Sequence, residues 1–107
     1  MIHVTELEMR EILTILTNYF TEGRVLAFGS RHKGTHKKFS DLDLAFIKHN
    51  GTALENAEWG SLKEKFEESN LVFRVDIVDY LATTENFRKI IDENCIEIYN
   101  SKNVNAH

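Results

Sequence analysis

The chain begins with apolar residues spaced as on one face of a helix. They recur about every three to four positions, which is typical of an amphipathic helix with one buried side. Thr5 and Glu8 have the spacing of a capping box, and Val4 and Met9 have that of a hydrophobic staple. The pattern therefore predicts a helix that begins after Thr5 and ends before Gly23. Its expected buried side comprises Leu7, Ile12, Leu13, Ile15, Leu16, Tyr19 and Phe20.

Four shorter segments have the length and composition of β-strands. The first, residues 25–28, is apolar throughout and lies between Gly23 and Gly29, as in a buried strand. In residues 41–47 and 71–78, apolar side chains alternate with other residue types, so that each strand has two distinct faces. A fourth strand is expected over residues 95–99, and further helices over residues 52–69 and 85–93.

This order of elements predicts an α/β protein built on one small mixed β-sheet. Helices would pack on one face of the sheet, and a candidate site would lie on the other, near the turn after the first strand. A length of 107 residues suits a single hydrophobic core. We therefore expect one domain over residues 1–100 and a disordered polar tail over residues 101–107.

Composition narrows the expected location and partners. The single cysteine, Cys95, cannot form an internal disulfide, which fits a reducing, cytoplasmic location. The apolar runs are too short to cross a membrane, and the first residues lack the pattern of a secretory signal. The net charge of −4 argues against a general affinity for nucleic acid. We therefore expect neither membrane insertion nor direct binding of nucleic acid.

Three aspartates carry the candidate chemistry. Asp41 and Asp43 are two apart on one predicted strand, so their side chains project from the same face. Carboxylates this close repel each other unless a cation lies among them, and oxygen ligands suit Mg²⁺ or Mn²⁺ better than zinc. If Asp76 lies on a neighbouring strand with the same facing, the three can hold two ions roughly 3.5–4 Å apart, as in nucleotidyl transfer. Gly29 and Ser30 would supply backbone N–H groups and a hydroxyl for a triphosphate.

Other chemistries fit the sequence less well. Asp79 is a rival for the third carboxylate, but its position at a strand end favours a turn or capping role. The stretch after the first strand resembles part of a Walker A loop, yet Thr35 stands where lysine is required. No Gly-x-Gly-x-x-Gly occurs, so a dinucleotide site has no support. His32 and His36 are separated by Gly34, which disfavours the helix that a shared zinc site would need.

The same loop carries the basic cluster of this acidic chain. Arg31 and Lys33 adjoin the candidate phosphate turn, where contact with ATP or a partner is expected. Lys37 and Lys38 fit a solvated loop equally well.

The loop and the strand after it together resemble a known signature. Gly29 and Ser30, ten intervening residues, and then Asp41-Leu-Asp43 match the Gly-Ser-x(10)-Asp-x-Asp signature of the DNA polymerase β-like nucleotidyltransferase superfamily. The longer pattern, Gly-Ser-Arg-x-x-Gly followed by Ser-Asp-Leu-Asp-Leu-Ala, resembles its smallest branch, the minimal nucleotidyltransferase (MNT) domains. The resemblance covers nearly the whole chain, from the leading helix to the closing strand.

This resemblance implies an activity and a partner. MNT domains are usually encoded beside an all-helical HEPN protein, an RNase toxin, with which they assemble. As antitoxins, they transfer AMP from ATP, with Mg²⁺, to a tyrosine of that partner. In such a site Asp76 would ligate the catalytic ion and help to deprotonate the attacking hydroxyl. By position, the implied site comprises Gly29, Ser30, Arg31 and Ser40 for the nucleotide and Asp41, Asp43 and Asp76 for two Mg²⁺ ions.

Two other functions remain open at the level of sequence. The chain could keep the fold without turnover and inhibit its partner by occlusion, as a non-catalytic binding module. It could also modify a small molecule, although nucleotidyltransferases of that kind carry an additional substrate-binding region that is not expected here.

Overall fold

The computed structural model describes residues 3–29 and 41–104. In these ranges the strands are β1 (Gly23–Phe28), β2 (Leu42–Lys48), β3 (Val75–Asp79) and β4 (Cys95–Asn100). The helices are α1 (Glu6–Tyr19), α2 (Asn56–Glu68), α3 (Glu85–Glu93) and α4 (Ser101–Val104), and a 3₁₀ turn (Tyr80–Ala82) precedes α3.

The strands form one mixed sheet in the order β3-β2-β1-β4. β1 pairs antiparallel with both β2 and β4, whereas β2 and β3 pair in parallel. A parallel pair needs a crossover connection, which here contains α2. The α/β class and the mixed sheet predicted from the sequence are confirmed. The order also sets β2 and β3, the two strands with candidate carboxylates, side by side.

Helix α1 begins at the predicted cap. The Thr5 hydroxyl accepts a hydrogen bond from the Glu8 N–H at 3.0 Å, and the Glu8 carboxylate accepts one from the Thr5 N–H at 2.8 Å. This capping box satisfies N–H groups that the first helical turn leaves without partners. The buried side is narrower than predicted, because Leu7 is 71% exposed and Tyr19 is 41% exposed. The residues that α1 and its C-terminal end bury are Ile12, Ile15, Leu16 and Phe20.

Helices α1 and α2 cover one face of the sheet. The rings of Phe20 and Phe46 meet edge to face with centroids 4.9 Å apart, a favourable arrangement for aromatic pairs. The Tyr99 hydroxyl donates to the Phe20 carbonyl at 2.7 Å, which ties β4 to the end of α1. The large side chains of this face that are fully buried are Ile12, Leu16, Phe20, Val25, Leu42, Leu44, Phe46 and Leu62.

Helix α3 packs against the other face. The rings of Phe28 and Phe87 meet edge to face there, with centroids 5.9 Å apart. The expectation from sequence named helices on one face, and α3 adds a second layer. Asp43 shares this second face with Ala45, because the two are two positions apart on β2. The small buried cluster on this face comprises Leu26, Phe28, Ala45 and Ile91.

Three boundaries differ clearly from the predicted ones. Helix α2 begins at Asn56 rather than at residue 52. The third strand begins at Val75 rather than at residue 71, because the chain bends at residues 72–73. The segment expected to be a polar tail continues as α4, where Ser101 is buried, and residues 105–107 lie outside the described ranges. Among the described residues, the helices are all too short or too polar to cross a membrane.

Candidate active site

Gly29 forms the turn at the end of β1 and lies directly against a carboxylate. Its φ of +83° is in the left-handed region, which glycine adopts without strain. A Cβ at this position would collide with Oδ2 of Asp43, which is the register partner of Phe28. Glycine is therefore required for the backbone of this turn to approach the Asp43 side chain so closely.

Asp43 and Asp76 face each other across the parallel pair of β2 and β3. The Leu42 N–H donates to the Arg74 carbonyl at 2.8 Å, so the pairing is already in place before the two aspartates. By strand alternation, Arg74 and Asp76 project from the same face as Asp41 and Asp43. The structure thus places Asp43 and Asp76 on neighbouring strands and Asp41 directly before β2, all on one face.

Arg74 forms ion pairs with two of these aspartates. Its Nη2 is 2.9 Å from Oδ2 of Asp41, and its Nε is 3.2 Å from Oδ1 of Asp76. The Arg74 side chain is 72% exposed, compared with 37% for Asp41 and 40% for Asp76. The guanidinium therefore meets the carboxylates from the solvent side.

The site carries more negative charge than Arg74 neutralises. Burial, followed by the charges of Asp76 and Asp41, raises the pKa of Asp43 from 3.8 to about 6. Burial also raises the pKa of Asp76, and the adjacent Asp41 carboxylate adds to that increase. The positive charge of Arg74 lowers the pKa of both groups, but less than the other effects raise it. A further cation at this position would favour the ionised carboxylates.

The chemistry of the donor set fits a hard divalent cation. Asp41, Asp43 and Asp76 offer carboxylate oxygens, the ligands that Mg²⁺ and Mn²⁺ prefer. In the part of the chain that the structure describes, no three His, Cys, Asp or Glu side chains converge in a ready-made metal centre. Since Arg74 is bonded to two of the three candidate ligands, cation binding would require these ion pairs to be exchanged.

The predicted nucleotide site is described in the structure at Gly29. Ser30, Arg31 and Ser40 lie outside the described residues, as does the rest of the basic loop. Their assignment to the nucleotide stays a prediction. Gly29 is described, and its close contact with Asp43 joins the predicted phosphate turn to the carboxylates.

Two residues beside the site have roles that the structure clarifies. Asp79 accepts a hydrogen bond from the Leu54 N–H at 2.7 Å, so it anchors the segment before α2. This contact joins residues 25 positions apart, and the Asp79 side chain makes no cap hydrogen bond to the 3₁₀ turn that follows it, so the local turn or capping role expected of it is wrong. Sequence alternation places Arg74 on the face of Asp76, but gives no sign of its pairing with Asp41. That contact depends on the pairing of strands 33 positions apart in the chain.

A cleft of about 550 Å³ lies along β3 and α2. Its lining combines Arg74 and Asp76 with the aromatic side chains of Trp59, Phe66 and Phe73. β3 is an edge strand of the described sheet, so this cleft lies at the rim of the fold. It extends from Arg74 and Asp76 to the partly exposed Trp59 of α2.

Two sequence comparisons find similar proteins. Residues 10–104 match the family described as Polymerase beta, Nucleotidyltransferase. The probable protein adenylyltransferase MntA of Haemophilus influenzae is 46% identical over 84 residues, which are 78% of this chain and 72% of that protein.

Solved structures share the fold. A toxin–antitoxin crystal structure with AMP-PNP superposes with a TM-score of 0.71 at 22% identity, over 90% of this chain and 76% of that one. A chain in the complex of a tri-AMPylated HEPN toxin with an MNT antitoxin from Shewanella oneidensis superposes with a TM-score of 0.66 at 19% identity. That match covers 92% of this chain and 75% of the other. At these identities, the likeness concerns the fold alone.

Proposed function

Because the chain belongs to the polymerase β nucleotidyltransferase family, we propose that it transfers AMP from ATP to a tyrosine hydroxyl of a HEPN-type RNase toxin and so acts as its antitoxin. The register that sets Asp43 opposite Asp76, beside the Gly29 turn, carries this proposal. Nucleotidyl transfer needs carboxylates next to a turn that can cradle phosphates. The similar proteins support the same activity: a probable protein adenylyltransferase, and an MNT antitoxin complexed with a tri-AMPylated HEPN toxin.

The three aspartates have two kinds of role in this reaction. Asp41 and Asp43 would each ligate both Mg²⁺ ions, and Asp76 would ligate only the catalytic ion of the two. When bound by these aspartates, Mg²⁺ would supply positive charge to the triphosphate and would lower the pKa of the attacking hydroxyl. Asp76 also helps to remove the hydroxyl proton. The hydroxyl oxygen forms a bond to the α-phosphorus, the bond from that phosphorus to the β-phosphate oxygen breaks, and pyrophosphate leaves.

The remaining contacts to the nucleotide come from the turn after β1. The Gly29 backbone and the Ser30 hydroxyl bind the β- and γ-phosphates in this proposal, and Arg31 and Ser40 complete the site. The left-handed conformation of Gly29 supports this role, because glycine in this conformation is typical of turns whose backbone N–H groups bind anions.

The acceptor hydroxyl would approach from the β3 side. The phosphate turn adjoins Asp43 from β1, whereas Asp76 is on the outer strand β3. In an in-line displacement, the attacking and leaving oxygens lie on opposite sides of phosphorus. The cleft along β3 is lined by Asp76 and by the partly exposed Trp59, whose indole ring suits a tyrosine segment of the toxin.

A substitution in the cleft tests the direction of approach. Trp59→Ala removes aromatic surface from the cleft, so the KM for the toxin should rise about five- to tenfold, with a smaller change in kcat. The melting-temperature increase caused by Mg²⁺ and AMP-PNP should match that of the wild type. Leu7→Ala, which removes an exposed apolar side chain of α1, serves as the control. An unchanged KM in Trp59→Ala would place the acceptor elsewhere.

The activity itself is tested with a HEPN-type toxin partner, Mg²⁺ and ATP labelled on the α-phosphate. Wild type should label the toxin, and Asp43→Asn and Asp76→Asn should each reduce the rate by about 10²-fold or more. Asp79→Asn is the matched control, because this aspartate of β3 binds the Leu54 N–H and asparagine can still accept that hydrogen bond. If the wild-type protein left the toxin unlabelled, the proposed activity would be wrong.

The same variants separate catalysis from occlusion. If Asp43→Asn binds the toxin as tightly as wild type but leaves its RNase activity intact, transfer of AMP is what neutralises the toxin. If that variant still neutralises the toxin, the non-catalytic alternative is the correct one.

A further inference from the structure

Arg74 occupies the place that a cation would take between two of the proposed metal ligands. Its guanidinium contacts Asp41 at 2.9 Å and Asp76 at 3.2 Å, through two different nitrogens. Asp41 precedes β2 and Asp76 belongs to β3, so one side chain links two strands. Without a positive charge here, these two carboxylates and Asp43 would repel one another across the parallel pair.

The guanidinium is well suited to be exchanged for a stronger cation. It keeps its proton at any pH at which the protein is folded, so only movement of the side chain can remove its charge. The side chain is 72% exposed, and ion pairs in contact with solvent are weak. A divalent cation carries twice the charge in a smaller volume, and binds carboxylate oxygens at shorter distances.

We propose that Arg74 is a resident counterion that competes with the divalent cation for Asp41 and Asp76 and thereby sets the affinity of the site for that cation. In the cation-free protein, Arg74 holds the two carboxylates on one face and reduces their repulsion. When the cation binds, Asp41 and Asp76 exchange the guanidinium for it, and Arg74 turns towards solvent. The inference rests on the proposed function, which makes these aspartates cation ligands.

The test measures Mn²⁺ affinity in the full chain without nucleotide, from the EPR signal of free Mn²⁺. Arg74→Gln removes the competing charge, so Mn²⁺ should bind about three- to tenfold more tightly than to wild type. Arg74→Lys keeps the charge but cannot contact both carboxylates as a planar fork does, so its affinity should lie between the two. Arg10→Gln changes the net charge equally, at an exposed pair on α1, and should bind Mn²⁺ like wild type.

Thermal unfolding adds a second readout. In EDTA, Arg74→Gln should melt below wild type, because its carboxylates have lost their counterion. Added Mn²⁺ should raise its melting temperature by more than it raises that of wild type. A purely structural role for Arg74 would lower the melting temperature without tightening Mn²⁺ binding.

The outcomes separate this inference from the proposed function. If Arg74→Gln binds Mn²⁺ equally or more weakly than wild type, while wild type labels the toxin, Arg74 is not a competitor and the proposed function stands. If none of the four proteins binds Mn²⁺, the cation site and the role of Arg74 are both overturned.

Discussion

Asp43 carries a charge that its surroundings disfavour, and this has a consequence for stability. Its pKa is about 6 in the folded protein and near 3.8 in the unfolded chain. Between these values the folded state binds a proton that the unfolded state has released, so the ionisation of Asp43 lowers stability as pH rises through this window. The loss is complete above about pH 6 and absent below about pH 4.

Asp43→Asn should therefore stabilise the cation-free protein in a pH-dependent way. The gain in the free energy of unfolding over wild type should be near zero at pH 4 and about 1–2 kcal/mol at pH 7, after allowance for partial solvent exposure. Urea unfolding in EDTA at the two pH values measures it. An equal gain at both values would show that the charge of Asp43 is not the cause.

Gly29 and Gly51 offer a matched pair for testing the turn beside Asp43. Both have positive φ, at 83° and 76°, but a Cβ at Gly51 has no atom within 4 Å, whereas one at Gly29 collides with the Asp43 carboxylate. Alanine at either position should cost about 1–2 kcal/mol of backbone strain. Only Gly29→Ala should also abolish the melting-temperature increase caused by Mg²⁺ and AMP-PNP. If Gly51→Ala loses that increase as well, the close contact at Gly29 is not what matters.

Helix α2 is held to the end of β2 by a partly buried ion pair. Lys48 Nζ is 2.9 Å from Oε1 of Glu58, and the Lys48 side chain is 10% exposed. The hydrogen bond that Lys48 donates to the Glu58 carboxylate raises the pKa of Lys48. Burial by itself would raise the pKa of Glu58, but hydrogen bonds from Lys48 and from the Glu55 backbone lower it. The pair therefore stabilises the fold at neutral pH, where both groups are charged.

Glu58→Gln should lower the free energy of unfolding by about 1–2 kcal/mol at pH 7, because Lys48 then keeps a partly buried charge without a carboxylate partner. The folded pKa of Glu58 lies below its ordinary 4.5, so its contribution is present above that pH and lost as pH falls through the folded pKa. Wild type and variant should therefore converge in acid. Glu6→Gln, at an exposed pair with Arg10, should change stability by less than about 0.5 kcal/mol. A difference that persists unchanged in acid would contradict this account.

Local signals predict elements well here, and long-range packing explains what they miss. The Thr5–Glu8 box, which depends on neighbouring residues alone, sets the predicted start of α1. Thr84 caps α3 in the structure in a similarly local way. The exposure of Leu7 depends on which part of α1 reaches the sheet, and periodicity does not give that. Likewise, alternation along each strand predicts which side chains share a face. It does not predict the parallel register that aligns Asp43 with Asp76, because that register depends on how β2 and β3 pair.

At the scale of the whole molecule, charge opposes the binding of a bare triphosphate. The chain has a net charge of −4, and three of its carboxylates share one face beside the turn at Gly29. The negative charge of these carboxylates repels a triphosphate that approaches this face. The positive charge of Arg74 neutralises only part of it. A divalent cation offsets both charges at once, so nucleotide and cation should bind cooperatively.

This coupling predicts the pattern of thermal shifts. Mg²⁺ and AMP-PNP together should raise the melting temperature by more than the sum of their separate effects. At a ligand concentration of 100 times Kd, the free energy of unfolding should rise by about 2.7 kcal/mol. AMP-PNP in EDTA should produce little shift. The Asp41→Asn/Asp43→Asn double variant should lose the cooperative part, because its face no longer holds the cation that bridges protein and phosphate. If AMP-PNP in EDTA raised the melting temperature as much as AMP-PNP with Mg²⁺ does, the nucleotide would bind away from the carboxylates. The turn at Gly29 and the aspartates Asp43 and Asp76 would then not form one site.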